Sequence, residues 1–286
     1  MRRYAQLAIL AGMVVGLASL PAFAVRGQYA SGQTTQQPST SQAAPTDQGT
    51  SQAKAAAPKL NPKEEKAYKA FYETPSNQPK DVVSAGQDFL KKFPSSRYAG
   101  SVYARLATSY EALGQQDQML DAGHKALQLN PDDVDVLSLL AYAIPRRIDP
   151  NNIDSGEQLQ EAAQDATHAL DLLSKMQKPA NMTQDQFTSA INGEAASCHS
   201  GLGLVDYYQH DITGMVAQLE QAVKLNPTPD PTDQYLLGIA YIQSNRAADA
   251  EDILQKCVAD GGSLVDQCKK SLDQAQKLAA SQQKKQ

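Results

Sequence analysis

The stretch KALQLNP at 125–131 returns as QAVKLNP at 221–227. In both, a small residue (Ala126, Ala222) leads an apolar pair into an Asn-Pro stop at Pro131 and Pro227. Proline has no N–H to donate and disfavours helical backbone in the residue before it, so each segment reads as the end of a helix. Outward from these two stops, apolar residues recur at helical rather than strand spacing, and turn signals arrive every 12 to 20 residues. Short helices that end and restart at this interval predict helical hairpins, and a hairpin that repeats predicts a stack of them.

Upstream of each stop, a large residue meets a small one and a tyrosine follows within a turn. Leu106-Ala107 leads to Tyr110, Leu202-Gly203 to Tyr207, and Leu237-Gly238 to Tyr241. The small residue lets two helices approach and the aromatic fills the gap beside it. These residues resemble the tetratricopeptide repeat, whose 34-residue pattern runs aromatic, Leu-Gly, Tyr, Ala, aromatic, Ala, Pro. Units begin near Gly100, Ala196 and Pro231, the last ending at Gly262 where the pattern has Pro. Tyr103, Leu106, Tyr110, Gly114, Ala126 and Pro131 match in the first, and Ala250 and the Cys257 position in the last, while Met119 and Gly123 depart from the pattern.

Two degenerate units flank these. Residues 63–94 form a hairpin closing at FLKKFPSS, similar to repeat endings in bacterial envelope proteins that assemble or organise the outer membrane. Residues 134–175 keep Leu140-Ala141 in a helix stopped at Pro145, followed by about nine extra residues. Ser155 with Gln158 and Thr183 with Gln186 read as capping boxes, the second opening an extended first helix. A helix from Ser263 to about Ala279 covers the last repeat, since a stack needs a cap on its open apolar face. The resemblance spans about 61–262 and implies an all-α, helical-hairpin repeat solenoid with a C-terminal capping helix.

The first sixty residues are of another composition. Arg2 and Arg3 precede an apolar run, Ala5–Leu20, followed by Pro21 and Ala22-Phe23-Ala24. A basic head, an apolar middle and an A-x-A site describe a signal peptide over 1–24. The 16-residue run is shorter than the roughly 20 residues that span a bilayer, so a membrane association follows only if this segment stays uncleaved. Residues 25–60 are Gln, Ser, Thr, Ala, Pro and Gly with few large apolar side chains, a composition that reads as a disordered linker. The expected organisation is a signal peptide, this linker, a repeat domain over 61–279 and a frayed tail over 280–286, in a periplasmic or secreted protein.

From residue 61 onward, 30 Asp and Glu stand against 21 Lys and Arg. An acidic body without a basic cluster excludes nucleic acid as the expected partner. The short runs Lys91-Lys92, Arg146-Arg147 and Lys284-Lys285 read as solvated ends. The four histidines, His124, His168, His199 and His210, are scattered, and neither a His-x3-His nor a Cys-x2-Cys spacing calls for a metal. No nucleophile-elbow, Walker or dinucleotide glycine pattern is present, so the sequence calls for no cofactor and no catalysis.

What remains is recognition of a protein or peptide partner in the envelope. The resemblance implies a concave groove lined by the first helices, at positions that fall on Ala104, Thr108 and Glu111, Ser138 and Tyr142, Ser200, Leu204, Tyr207 and Tyr208, and Tyr235, Ile239 and Ile242. Tyr207 and Tyr208 are adjacent and diverge by about 100° on a helix, so one of them is surplus to packing. The alternatives are a small-molecule or glycan site lined by Tyr207, Tyr208 and Tyr235, or an enzyme built on Cys198, His199 and His210. Cys257 and Cys268 flank the turn at 260–263 at nearly equal distances, which predicts a disulfide in an oxidising compartment, the alternative being two small buried thiols.

Overall fold

The computed structural model describes residues 61–284. The signal peptide and linker expected over 1–60 lie outside these residues. Among the described residues all regular structure is helical: α1 (Pro62–Tyr72), α2 (Pro79–Lys92), α3 (Ala99–Ala112), α4 (Gln116–Leu129), α5 (Val134–Ala143), α6 (Ser155–Lys175), α7 (Gln184–Tyr208), α8 (Ile212–Leu225), α9 (Pro231–Gln243), α10 (Ala247–Asp260) and α11 (Val265–Gln283). A single 3-10 turn, Pro145–Arg147, follows α5.

The helix starts are written locally. Asn61 accepts from the Lys63 N–H at 3.1 Å ahead of Pro62, and Asp230 accepts from the Thr232 N–H at 2.8 Å ahead of Pro231. Each pairs an N-cap acceptor with a proline where the missing N–H costs nothing. Ahead of α7, Thr183 and Gln186 form the expected capping box, the Thr183 N–H donating to Gln186 Oε1 at 2.9 Å and the Gln186 N–H to Thr183 Oγ1 at 3.2 Å. Ser155 does something else. Its hydroxyl donates to the carbonyls of Asp149 and Asn152, at 2.5 and 2.8 Å, closing the inserted loop, and Asp154 takes the N-cap position.

The described residues divide into two compact units, 61–137 with 182–190, and 138–181 with 191–284. In the first, α1 packs on α2, α2 on α3 and α3 on α4, around Phe71, Val82, Phe89, Val102, Leu106 and Met119. The turn after α2 is stitched to α1 by polar contacts: Ser96 donates to Glu64 Oε1 at 2.6 Å and Tyr98 to Glu65 at 2.7 Å, while the Tyr98 ring stacks on Tyr68 at 3.9 Å. In the second unit, α8 packs on α9, α9 on α10, and α11 on both α9 and α10.

A common register runs through three hairpins. Ala107 is fully buried, and Gly203 and Gly238 hold the same place in their repeats. A Cβ on Gly203 would lie 2.5 Å from Leu219 Cδ2, and one on Gly238 2.5 Å from Leu254 Cδ2, so each missing side chain is the room its partner helix occupies. The ends of α3, α7 and α9 are closed alike. The N–H groups of Gln115, Asp211 and Arg246 each donate to the carbonyl five residues back, on Tyr110, Asp206 and Tyr241, all at 2.9 Å. The residue before each of these donors, Gly114, His210 or Asn245, has φ of +69°, +60° or +59°.

This register corrects one reading of the sequence. The residue equivalent to Tyr110 and Tyr241 is Asp206, and Tyr207 stands one position late. Tyr110 and Tyr241 are buried, accepting from Gln87 Nε2 at 2.9 Å and donating to Glu220 at 2.8 Å respectively. The C-terminal helix runs to Gln283, beyond Ala279, and Gln282 Nε2 donates to the Asn245 carbonyl at 2.9 Å.

Candidate functional site

In the second unit, α7 and α9 carry most of the residues singled out for recognition, and each lies where local capping fixes its helix. Tyr207 and Tyr208 end α7, with ring centroids 5.4 Å apart in an edge-to-face arrangement. Both are half-buried. Burial pushes the Tyr207 phenol above its ordinary value and neighbouring Tyr235 adds to the shift; burial and then Tyr207 do the same to Tyr208. Tyr208 thus stands beside Tyr207 at the end of α7, and Tyr207 and Tyr235 of α9 pack against the same core. Ile239 and Ile242 follow Tyr235 along α9, both half-buried. Tyr207, Tyr235 and Ile242 also pack partly on the core formed by Leu219, Leu237, Leu254 and their neighbours. Leu204 is only 6% exposed and belongs to the interior.

Tyr142 sits in a different setting. Its hydroxyl donates to Asp230 Oδ2 at 2.6 Å, and the Arg146 guanidinium lies 3.5 Å from its ring centroid. Arg146 also donates to the Tyr142 carbonyl at 2.9 Å, to Ser200 Oγ at 2.7 Å and to Asp233 Oδ1 at 3.1 Å, with Asp230 Oδ2 at 3.3 Å. Ser200 donates in turn to Asp233 Oδ1 at 2.5 Å. Burial raises the Asp233 carboxyl to about 6 against the pull of Arg146, whereas for Asp230 burial is outweighed by Arg146 and the Tyr142 hydroxyl, and its value falls. Arg146, read from sequence as a solvated end, thus ties α5 and its following turn to α7 and the start of α9, with 18% of its side chain exposed. No sequence signal marks this network, because the bonds from Tyr142 and Arg146 to Ser200, Asp230 and Asp233 span 54 to 88 positions.

Two serines placed on the groove by the repeat pattern are interior instead. Ser200 is 1% exposed within the arginine network, and Ser138 is fully buried and donates to Glu194 of α7. Between α5 and α7 the backbones meet, since a Cβ on Gly201 would run into the Ala141 carbonyl. Of the residues assigned to the first unit, Ala104, Thr108 and Glu111 are all half-buried along α3.

Cys198, His199 and His210 are not brought together. Cys198 is fully buried, its thiol pushed up to about 12 by burial and then by Glu194 and Asp165, so it carries almost no thiolate at neutral pH. His199 Nδ1 lies 2.7 Å from Gln218 Oε1 of α8. His210 is an exposed turn residue beyond the end of α7, more than two helical turns on from His199. Among the described residues no group of three His, Cys, Asp or Glu side chains could hold a metal ion, and no helix is long and apolar enough to cross a membrane. Cys257 of α10 and Cys268 of α11 are joined in a disulfide with their Cα atoms 6.1 Å apart.

The class of fold follows from the chain's own geometry: helices packed in adjacent pairs, with a glycine against a leucine of the partner helix at Gly203 and Gly238 and a left-handed turn after α3, α7 and α9, make a stack of helical hairpins. No family profile matches the chain, and no protein of curated function matches it in sequence. Among solved structures it is similar to a thermophilic TPR protein of Thermus thermophilus, at 17% identity over 76% of this chain and 97% of that one, with a TM-score of 0.43. It is similar also to pilF of Pseudomonas aeruginosa, at 14% identity over 77% and 91% with a TM-score of 0.48. A third similar structure is PilW, a widely conserved type IV pilus biogenesis factor, at 14% identity over 78% and 94% with a TM-score of 0.48.

Proposed function

We propose that the chain is a non-catalytic interaction scaffold of the bacterial cell envelope, exported by residues 1–24, spaced by residues 25–60, and binding a peptide or protein segment along the groove built by α7 and α9. The observation that carries this reading is the register shift at the end of α7. In the two other complete repeats the buried inter-helix slot holds a tyrosine, Tyr110 or Tyr241; in this one Asp206 stands in that position. Neither Tyr207 nor Tyr208 fills that slot: Tyr207 packs partly on the core beside Tyr235, while Tyr208 is kept half-buried at its side with no place in that core. Tyrosine offers a large apolar body with a polar tip at small entropic cost, and such anchors dominate protein interfaces.

The experiment is partner capture from an envelope extract by the folded chain, wild type against Tyr208→Ala with Tyr235→Ala. Loss of the captured protein, with helical circular dichroism and melting midpoint near wild type, is the expected result. Unchanged capture moves the site off these helices, and a markedly less stable variant assigns the tyrosines to packing.

A further inference from the structure

We infer that the first unit carries a docking surface of its own, the tyrosine-lined face of α1, and that it takes an acidic segment of a partner protein, with an apolar residue on the rings and a carboxylate on the lysines beside them. This goes beyond the α7–α9 reading and does not depend on it.

The surface is one side of a helix. Pro62, Glu65, Lys66, Lys69 and Tyr72 recur at three- and four-residue spacing and so share a face of α1. Together with Tyr68 and with Tyr98, which leads into α3, they line an open cleft of about 750 Å³. The opposite side of α1 holds the buried Phe71, stacked on Phe89 of α2, and among the described residues α1 packs closely on α2 alone. The rings of the cleft are fixed in place. Tyr68 and Tyr98 stack 3.9 Å apart and within 5° of parallel, and the Tyr98 hydroxyl donates to Glu65 at 2.7 Å. Tyr72, 41% exposed, stands 6.1 Å from Tyr68. An apolar floor whose side chains are already ordered loses little entropy when something docks on it.

Charge decides what the floor takes. Glu65 is the one carboxylate lining the cleft, and it is already engaged by the Tyr98 hydroxyl and by Arg97. Arg105 stands at the Tyr72 end, its guanidinium 5.7 Å from that ring centroid. Lys66 and Lys69 line the cleft between these arginines. Lys69 comes no nearer than 3.8 Å to Glu73, with both side chains largely exposed, a pairing worth little, and Lys66 makes no ion pair among the described residues. In a chain of net charge −5, four cations thus stand about three tyrosines. A carboxylate entering here gains charge-assisted bonds from the lysines, whereas a basic segment meets repulsion. From Pro62 to Tyr72 the face runs about 15 Å at 1.5 Å per residue, room for about five residues of extended chain.

The test titrates the full chain with three short labelled peptides in which Phe alternates with Glu, with Gln or with Lys, read by fluorescence anisotropy at about 50 mM salt, where the Debye length exceeds roughly 10 Å. The expected order is Glu, Gln, Lys, with the Glu peptide at least about tenfold tighter than the Gln peptide and the gap closing as salt is raised. Lys66→Gln with Lys69→Gln removes the Glu preference and leaves the Gln peptide unchanged, since Gln serves an exposed helix position about as well as Lys. Tyr72→Ala weakens all three, and Tyr208→Ala with Tyr235→Ala weakens none. Equal affinities for the Glu and Gln peptides, or a Glu preference that survives the double Gln variant, would overturn the inference. Binding lost only in the Tyr208 and Tyr235 variant overturns it too, and leaves the α7–α9 reading standing. Binding of none of the peptides also overturns it, whether the face is taken by a second copy, seen as self-association in sedimentation, or by the chain's own residues before 61.

Discussion

Three residues that follow a first helix, Gly114, His210 and Asn245, hold backbone in the left-handed region where a side chain is disfavoured. Glycine is at home there, asparagine tolerates it, and histidine bears the larger cost. Replacing His210 by Gly is expected to raise stability by about 0.5–1 kcal/mol, Asn245→Gly by less, and Gly114→Ala to lower it by about 1 kcal/mol, read as denaturant midpoints. A His210→Gly variant weaker than wild type would mean that the imidazole makes a compensating contact. Gly238 is constrained by space, with Leu254 Cγ 2.5 Å from where its Cβ would stand, so Gly238→Ala is expected to cost about 1–3 kcal/mol. Asp206 adds a pH dependence. Its carboxyl is raised from 3.8 to about 6, so folding favours the protonated form; that contribution is present below pH 3.8 and is lost as pH rises through about 6. Asp206→Asn should therefore stabilise by about 1 kcal/mol at a pH of about 7.5, discounting for partial exposure, and change little near a pH of about 3.5. Equal effects at the two pH values would remove the charge from the explanation.

Among the elements, α11 buries only small side chains. Its fully or nearly buried side chains are Cys268, Ser271 and Ala275, all small, with Leu272 packed partly beside them. A helix that buries so little apolar area gains little from packing, and the Cys257–Cys268 link to α10 is then a large share of what holds it. Titrating thiols under denaturant should find one cysteine, Cys198, before reduction and three after; three at the outset would reject the bridge. Cys257→Ala with Cys268→Ala should lower stability by about 2–3 kcal/mol, with α11 amides the first to exchange. The helices differ in how far the sequence foretold them. The Thr183–Gln186 start of α7 and the stops at Asn-Pro were readable because capping and proline chemistry are local. The insertion between Pro145 and Ser155 was readable only as extra length, because what orders it is a serine hydroxyl reaching back to Asp149 and Asn152 rather than a helix cap.

For the whole chain, the repeat was legible because each small residue is dictated by the leucine above it, as at Gly203 with Leu219 and Gly238 with Leu254, and such pairs recur at a fixed separation. The candidate site was legible in part. Spacing brought Tyr207, Tyr208 and Tyr235 to attention, but the phase in which Asp206 displaces a tyrosine depends on a turn that closes without glycine at His210, which the pattern does not mark. The arginine network at Tyr142 was beyond reach, since only the fold decides which of several acidic residues meets Arg146. Export belongs to this scale as well: mature protein from an envelope fraction is expected to begin near Val25, and an intact Met1 on a cytoplasmic pool would contradict it. The most direct test of the account is amide hydrogen exchange on the full chain with and without its captured partner. Protection is expected at the end of α7, over 200–208, and along α9, over 231–243, with α8 and α10 unchanged; protection confined to α1–α4, or to the outer helices α8 and α10, would contradict an interaction face built on Tyr207, Tyr208 and Tyr235.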